Sequence, residues 1–350
     1  MTDPINHQWV LAQRPDGMVT STDFERRESP VPAPDDGEFL VRNLYLSLDP
    51  AMRAWISERG TGYMPPVQIG ALMPGGCVAR VEQSRHPGFA EGDLVLGMFG
   101  WQEYAVSDGG GAVAVMPVPD GVGPTLPLSA LGLTSLTAYF GLKEVGRPQP
   151  GETVVVSAAA GATGSVVGQL ARIAGCRAVG IAGGTEKCAW LTRELGFDAA
   201  IDYKSEDVRA QLREHCPDGI DIYWDNVGGE ILDLALAQLA THARVVLCGA
   251  ISVYNRATPA PGPANYLNLL GRRARMEGFL VFDYMDRVGE AMGELVPLVQ
   301  QGKLRYREDI RDGLDSAPVA LRDLFTGAND GKLLVRIADD TPRANGSVGA

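Results

Sequence analysis

Between Ser157 and Ser165 the chain reads Ala158-Ala159-Ala160-Gly161-Ala162-Thr163-Gly164. The run follows a short apolar stretch, ETVVVS, and opens a stretch of helical spacing, TGSVVGQLARIA. A helix that starts this way leaves N–H groups unpaired, and glycines let its backbone approach a pyrophosphate. Gly161, Ala162, Thr163 and Gly164 are therefore candidate dinucleotide contacts. The spacing is AxxGxxG rather than GxGxxG, so taken alone it also fits a glycine-rich turn that binds nothing.

The end of the next strand bears on which dinucleotide. An NAD site carries an acid about 20 residues past the glycines, bonded to the ribose hydroxyls. Here the position is Ala182-Gly183-Gly184-Thr185, without a carboxylate, and Lys187 follows. A missing acid removes repulsion against a 2′-phosphate, and a lysine can pair with one. Tyr203, closing the third strand, is placed to bond the same group. The pattern favours NADP(H); the alternative reading of Lys187 is a solvated helix residue.

Other chemistries lack their residues. The histidines are His7, His86, His215 and His242, and the cysteines are Cys77, Cys176, Cys188, Cys216 and Cys248. They show no CxxC, no Gly-His-Glu and no four-cysteine lobe, so no metal site is expected. Tyr139-x-x-x-Lys143 matches the tyrosine–lysine pair of short-chain dehydrogenases but precedes the glycine turn, and it reads as helix surface. No Gly-x-Ser-x-Gly elbow is present, and neither Asp202 nor Asp225 has a carboxylate partner in the sequence.

The elements that must position these residues fall into two textures. The first ~125 residues are short strands broken by Pro and Gly: FLVRNLYLSLDP, ALMPGGCVARVEQS and GDLVLGMFGWQEYAVS. From PLSALGLTSLTAYFGL onward the spacing turns helical. Apolar strands are then expected at Glu152–Ser157, Arg177–Ala182, Ala199–Asp202, Asp221–Trp224, Arg244–Cys248 and Arg275–Phe282, with helices between. Strands apolar on both faces and separated by amphipathic helices imply a parallel α/β sheet. A helix near Ala317–Thr326 and a strand, KLLVRIAD, follow. The expected architecture is α/β: a β domain in two parts, residues 1–129 and 302–350, split around an inserted dinucleotide-binding domain, 130–301.

Charge and hydropathy limit the partners. Acids outnumber bases 43 to 31, a net charge of −12 that argues against nucleic acid and anionic membranes. No signal-peptide core and no apolar run of about 20 residues is visible, so a reduced, cytoplasmic setting is expected. Asn345-Gly346-Ser347 matches a glycosylation sequon without that secretory context.

Taken together, YLSLDPAMR, LTSLTAYFGL, SAAAGATGSVVGQLA, GIAGGTEK, LGFDAAIDYK, DNVGGE, CGAISVYN, EGFLV and GANDGKLLV occur in an order that resembles a known family. It is the zinc-free branch of the medium-chain dehydrogenases/reductases, with prostaglandin and leukotriene reductases, plant alkenal double-bond reductases and bacterial curcumin reductases. The resemblance implies a GroES-like β domain around a Rossmann domain, NADP(H) in the cleft between them, and a homodimer. It implies that Gly161 to Gly164 hold the pyrophosphate while Lys187 and Tyr203 hold the 2′-phosphate end. Asn226 then meets the cofactor near its ribose. Cys248, Gly249, Ala250, Ile251, Ser252, Val253 and Tyr254, with Phe279, Leu280 and Val281, line the nicotinamide, and Asn329 reaches across from the returning β domain. Many members have Tyr after LDP where this chain has Ala51, and Tyr63 of GTGYMPP resembles another cleft residue.

The implied reaction reduces a carbon–carbon double bond conjugated to a carbonyl in a small enone or enal. With no metal and no histidine base to oxidise an alcohol, the site needs position, dryness and one donor for the developing oxyanion. Tyr254 is the candidate donor, with the ribose hydroxyl as helper. The rivals are a quinone reductase of the same superfamily and a non-catalytic NADPH-binding protein.

Overall fold

A computed structural model describes residues 4–58, 60–111, 114–258 and 260–340. The sequon at Asn345 lies outside the described residues. Valines 154, 155 and 156 are fully buried, as expected of a strand covered on both faces. That strand, Thr153–Ser157, is near the middle of a six-stranded parallel sheet. Across the sheet the strands run Ala199–Asp202, Arg177–Ala182, Thr153–Ser157, Ile220–Asp225, Leu239–Leu247 and Arg275–Gly278. Numbered along the chain this is order 3-2-1-4-5-6, the dinucleotide-binding arrangement, which opens a crevice where the order reverses beside the first strand.

A second sheet of seven strands draws on both ends of the chain. The returning strand Lys332–Arg336 lies antiparallel to Phe39–Ser47, with Leu334 opposite Ser47, and Glu308–Asp312 adds at its outer edge. An all-β unit of the GroES-like type is thus completed by residues that follow the inserted Rossmann sheet. The chain's two crossings are joined, because the Ser129 hydroxyl bonds both Glu308 and the Thr125 carbonyl.

Two expectations are corrected. The last strand of the Rossmann sheet stops at Gly278, and Val281–Arg287 is a 3₁₀ helix, not a continuation of the strand to Phe282. The turn lets Val281 bury, Tyr284 stack on Phe140 at 4.9 Å, and the Arg287 guanidinium cover both rings. Tyr139 is not helix surface: it is 4% exposed. It lies in helix Leu133–Phe140 and is covered by helix Val288–Gln300, whose Glu290 and Glu294 meet its hydroxyl. Its hydroxyl receives a bond from Lys143 Nζ at 2.6 Å and donates to Glu294 at 2.8 Å, so the pair serves packing between helices.

Candidate active site

The glycine turn is built by close approach. Gly161 is the N-cap of helix Ala162–Ile173 and supplies no side-chain cap, so the first-turn N–H groups face the crevice without one. A Cβ on Gly164 would stand 2.4 Å from the Ala158 carbonyl oxygen and 2.9 Å from Ala159 Cα. Only glycine lets the helix pack this tightly on its turn. Ala158 itself is in the left-handed region (φ 47°), a conformation that costs a non-glycine residue of the order of 1 kcal/mol. The uncapped helix start and the glycine cradle fit a pyrophosphate.

Beyond the second strand, Gly184 has φ 103° and its N–H donates to Asp202 Oδ1 at 2.8 Å. Tyr203 packs its ring against Gly183, where an added Cβ would lie 2.8 Å from Cε1. Lys187 is not a solvated helix residue. Its Nζ donates to the carbonyls of Gly327 and Asn329 at 2.9 and 2.7 Å, tying the Rossmann unit to the returning β domain. Burial pulls its pKa below the ordinary lysine value, while Asp330 opposes that shift. A lysine has three N–H donors, so these two bonds leave one uncommitted.

At the end of the fourth strand, Asp225 organises the DNVGG turn. It accepts from the N–H groups of Val227 and Gly228 and from the hydroxyls of Ser157 and Tyr223 at 2.9–3.2 Å. Burial raises its pKa, which these donors partly offset. Asn226 gives its side chain to the protein: Nδ2 donates to the Ser157 carbonyl at 2.7 Å and Oδ1 accepts from Trp224 Nε1 at 3.0 Å. Phe279 likewise turns into the core, edge-on to Trp224 at 5.8 Å and against Gly141, where a Cβ would lie 2.2 Å from its ring. Asn329 Nδ2 folds back on the Gly331 carbonyl, leaving its own carbonyl for Lys187.

The segment after the fifth strand gathers the reactive candidates. Burial pushes the Cys248 thiol up to about 12, so it is neutral and a poor nucleophile. Ala250 N–H donates to the Tyr254 hydroxyl at 3.0 Å. Burial raises the Tyr254 pKa, with Tyr63 and Asp225 adding to the shift. A phenol that stays protonated and already accepts one bond keeps its own proton to donate. Tyr63 faces Phe282 of the other unit at 5.9 Å between ring centroids. A cavity of about 630 Å³ adjoins the segment, touching Cys248, Gly249, Ala250, Val253 and Tyr254 together with Gly228, Arg256 and Pro261. Gly161–Gly164, Lys187 and Tyr203 do not line it.

Other positioning groups had no local sequence signal. Lys332 is 4% exposed and donates to Asp49 Oδ1 at 2.6 Å and to the Leu48 carbonyl at 3.0 Å, while Ser47 Oγ donates to Asp49 Oδ2 at 2.6 Å. The LDPAMR and GKLLV segments are thereby joined. The Thr134 hydroxyl, in the first turn of Leu133–Phe140, is buried without a partner. Among the described residues no group of three His, Cys, Asp or Glu could hold a metal ion. No helix among them is long and apolar enough to cross a membrane.

A split β unit, an inserted 3-2-1-4-5-6 sheet and a glycine-cradled crevice between them define a dinucleotide-dependent oxidoreductase. Residues 7–115 match the family model of the N-terminal domain of oxidoreductases, and 162–300 match that of zinc-binding dehydrogenases. The chain is 44% identical over 340 residues to the NADPH-dependent curcumin reductase of Escherichia coli, covering 96% of this chain and 98% of that one. It is 40% identical over 333 residues to prostaglandin reductase 1 of Rattus norvegicus, covering 94% and 98%. The crystal structure of CurA from Vibrio vulnificus in complex with NADPH superposes with a TM-score of 0.90 at 43% identity, covering 95% and 99%. The chain belongs to the medium-chain dehydrogenase/reductase family, in the branch of curcumin, prostaglandin and alkenal reductases.

Proposed function

We propose that this chain reduces the carbon–carbon double bond of α,β-unsaturated ketones or aldehydes, with Tyr254 stabilising the charge that develops on the carbonyl oxygen. As a member of its branch it is an NADP(H)-dependent oxidoreductase acting on CH–CH groups. Bound NADPH supplies a hydride for the β-carbon. The residues that would hold it are Gly161–Gly164 at the pyrophosphate, Lys187 and Tyr203 at the 2′-phosphate, and the backbone of Asn226, Cys248–Tyr254, Phe279–Val281 and Asn329. We also propose domain boundaries near 129 and 301.

The observation that carries the reading is the Ala250 N–H bond to the Tyr254 hydroxyl at 3.0 Å. That bond draws electron density from the oxygen and sharpens O–H donation toward an enolate. The raised pKa keeps the proton on the phenol at neutral pH. A donor fixed before reaction stabilises an oxyanion without reorganisation, and losing one often costs roughly 10- to 1000-fold in turnover. The α-carbon then takes its proton from water.

The test is NADPH consumption with 3-nonen-2-one, with a quinone and with no acceptor, followed by product analysis. Saturated ketone as product supports the proposal. Consumption with the quinone alone, or silence with every acceptor, overturns it.

A further inference from the structure

Arg53 lies in the short helix Ala51–Trp55 of the β unit and is 5% exposed. Its Nε donates to Asn255 Oδ1 at 3.0 Å, and Nη2 reaches the carbonyls of Gly17 at 3.0 Å and Pro15 at 3.3 Å. Among the described residues no carboxylate touches it directly; burial lowers the guanidinium pKa, and Asp23 opposes that shift from a distance. A desolvated charge bonded to neutral groups is expensive, and an apolar residue of similar volume commonly serves stability as well or better. The contact therefore calls for a role other than holding the fold together.

That role is visible in what Arg53 holds. Asn255 is the residue after Tyr254, and its Nδ2 also contacts Met18 Sδ at 3.3 Å. The helix carrying Arg53 is itself firmly seated. Met52 and Ile56 are fully buried in the β core, and Asp49, just before the helix, is pinned by Lys332 and Ser47. A continuous rigid path thus runs from the β core through Arg53 and Asn255 to the turn bearing the phenol.

We propose that Arg53 is a positioning residue which, through Asn255, fixes the 250–256 turn of the Rossmann unit and so sets where the Tyr254 hydroxyl stands relative to the β unit. The proposal rests on the reading of Tyr254 as oxyanion donor. It adds that the donor's placement is dictated from the opposite domain.

The experiment compares Arg53→Met, Arg53→Lys and Asn255→Ala, each in the wild-type and Tyr254→Phe backgrounds. Amide exchange of peptides spanning 250–256 is recorded beside steady-state kinetics. In the wild-type background Arg53→Met and Asn255→Ala should lower kcat about 10-fold, since small misplacements of a reacting group cost that much or more. Arg53→Lys should recover part of the loss. In the Tyr254→Phe background the same changes should add less than about 2-fold, because the group they position is gone. Exchange at 250–256 should rise at least about 10-fold while the central strand Thr153–Ser157 stays protected. Equal losses in both backgrounds, or unchanged exchange in the turn, overturn the proposal. If Tyr254→Phe alone leaves turnover unchanged, the donor reading fails, and the exchange measurement alone decides whether Arg53 fixes the turn. Should Arg53→Met be insoluble, Asn255→Ala carries the same comparison.

Discussion

Lys187 Nζ stands 2.7 Å from the carbonyl oxygen of Asn329, a bond across the cleft between residues 142 apart in sequence. With the Gly327 carbonyl at 2.9 Å it fixes two of the three ammonium donors before any cofactor arrives. A pre-oriented cation loses less entropy on meeting a phosphate than a free lysine does.

Lys187→Ala should therefore raise the NADPH dissociation constant about 10- to 100-fold, the worth of one charge-assisted bond. NADH, without the 2′-phosphate, should lose no more than about 3-fold. Titration of cofactor fluorescence measures both. Equal losses for the two cofactors would mean that Lys187 acts only as an interdomain tie.

The buried Lys332–Asp49 contact makes a different demand. Removing one partner leaves the other desolvated and unpaired, which typically costs about 3–5 kcal/mol. Asp49→Asn, which strands the buried Lys332 ammonium, should approach that loss in denaturant unfolding, whereas Lys332→Ala leaves a partly exposed carboxylate still bonded to Ser47 and should cost less. An Asp49→Asn loss under about 1 kcal/mol would show that the pair is dispensable.

Gly164→Ala tests the cradle directly. The methyl would lie 2.4 Å from the Ala158 carbonyl oxygen, so either the helix or its turn must shift. Overpacking of this kind costs about 1–3 kcal/mol, and it displaces the helix start that meets the pyrophosphate. Lower Tm together with at least about 10-fold weaker NADPH binding is expected. Retention of both would contradict the close-packing role.

What could be read from the sequence was local. Strand Thr153–Ser157 is apolar on both faces and is followed by Gly161 and Gly164, so its place in the sheet and the turn after it follow from neighbouring residues. Gly164 was legible for the same reason. Pairings between distant residues were not: Arg53 and Asn255 lie 202 apart and Asp49 and Lys332 lie 283 apart, with no periodicity to join them. Tyr139 was misplaced because the helix that covers it is distant in sequence, Glu294 lying 155 residues on. The strand expected to reach Phe282 ended early because Tyr284 stacks on Phe140, a contact no local pattern announces.

We propose that the homodimer implied by family resemblance forms along the outer strand Arg275–Gly278. Among the described residues that strand pairs on one side only, and beside it in sequence Leu267 and Leu270 are 64% and 79% exposed. An open edge next to exposed leucines is a ready pairing surface. Sedimentation should report a dimer for the native chain and a monomer for Leu267→Asp/Leu270→Asp with NADPH binding kept. A native monomer at micromolar concentration would refute this.

The pH profile separates a phenol donor from a phenolate base. Burial raises the Tyr254 pKa above its ordinary value near 10, so the protonated, donating form persists throughout the neutral range. A donor is lost only as pH rises through that pKa; a base would instead gain activity there. Turnover on a small enone should therefore show no limb owed to Tyr254 between about pH 6 and 9. Tyr254→Phe should lower kcat by a similar factor, roughly 10- to 1000-fold, at each pH in that interval. A rise in kcat with pH that disappears in Tyr254→Phe would mean that the ionised phenol acts. The Ala250 N–H would then be stabilising that anion rather than polarising a donor, and the assignment of Tyr254 would have to be reversed.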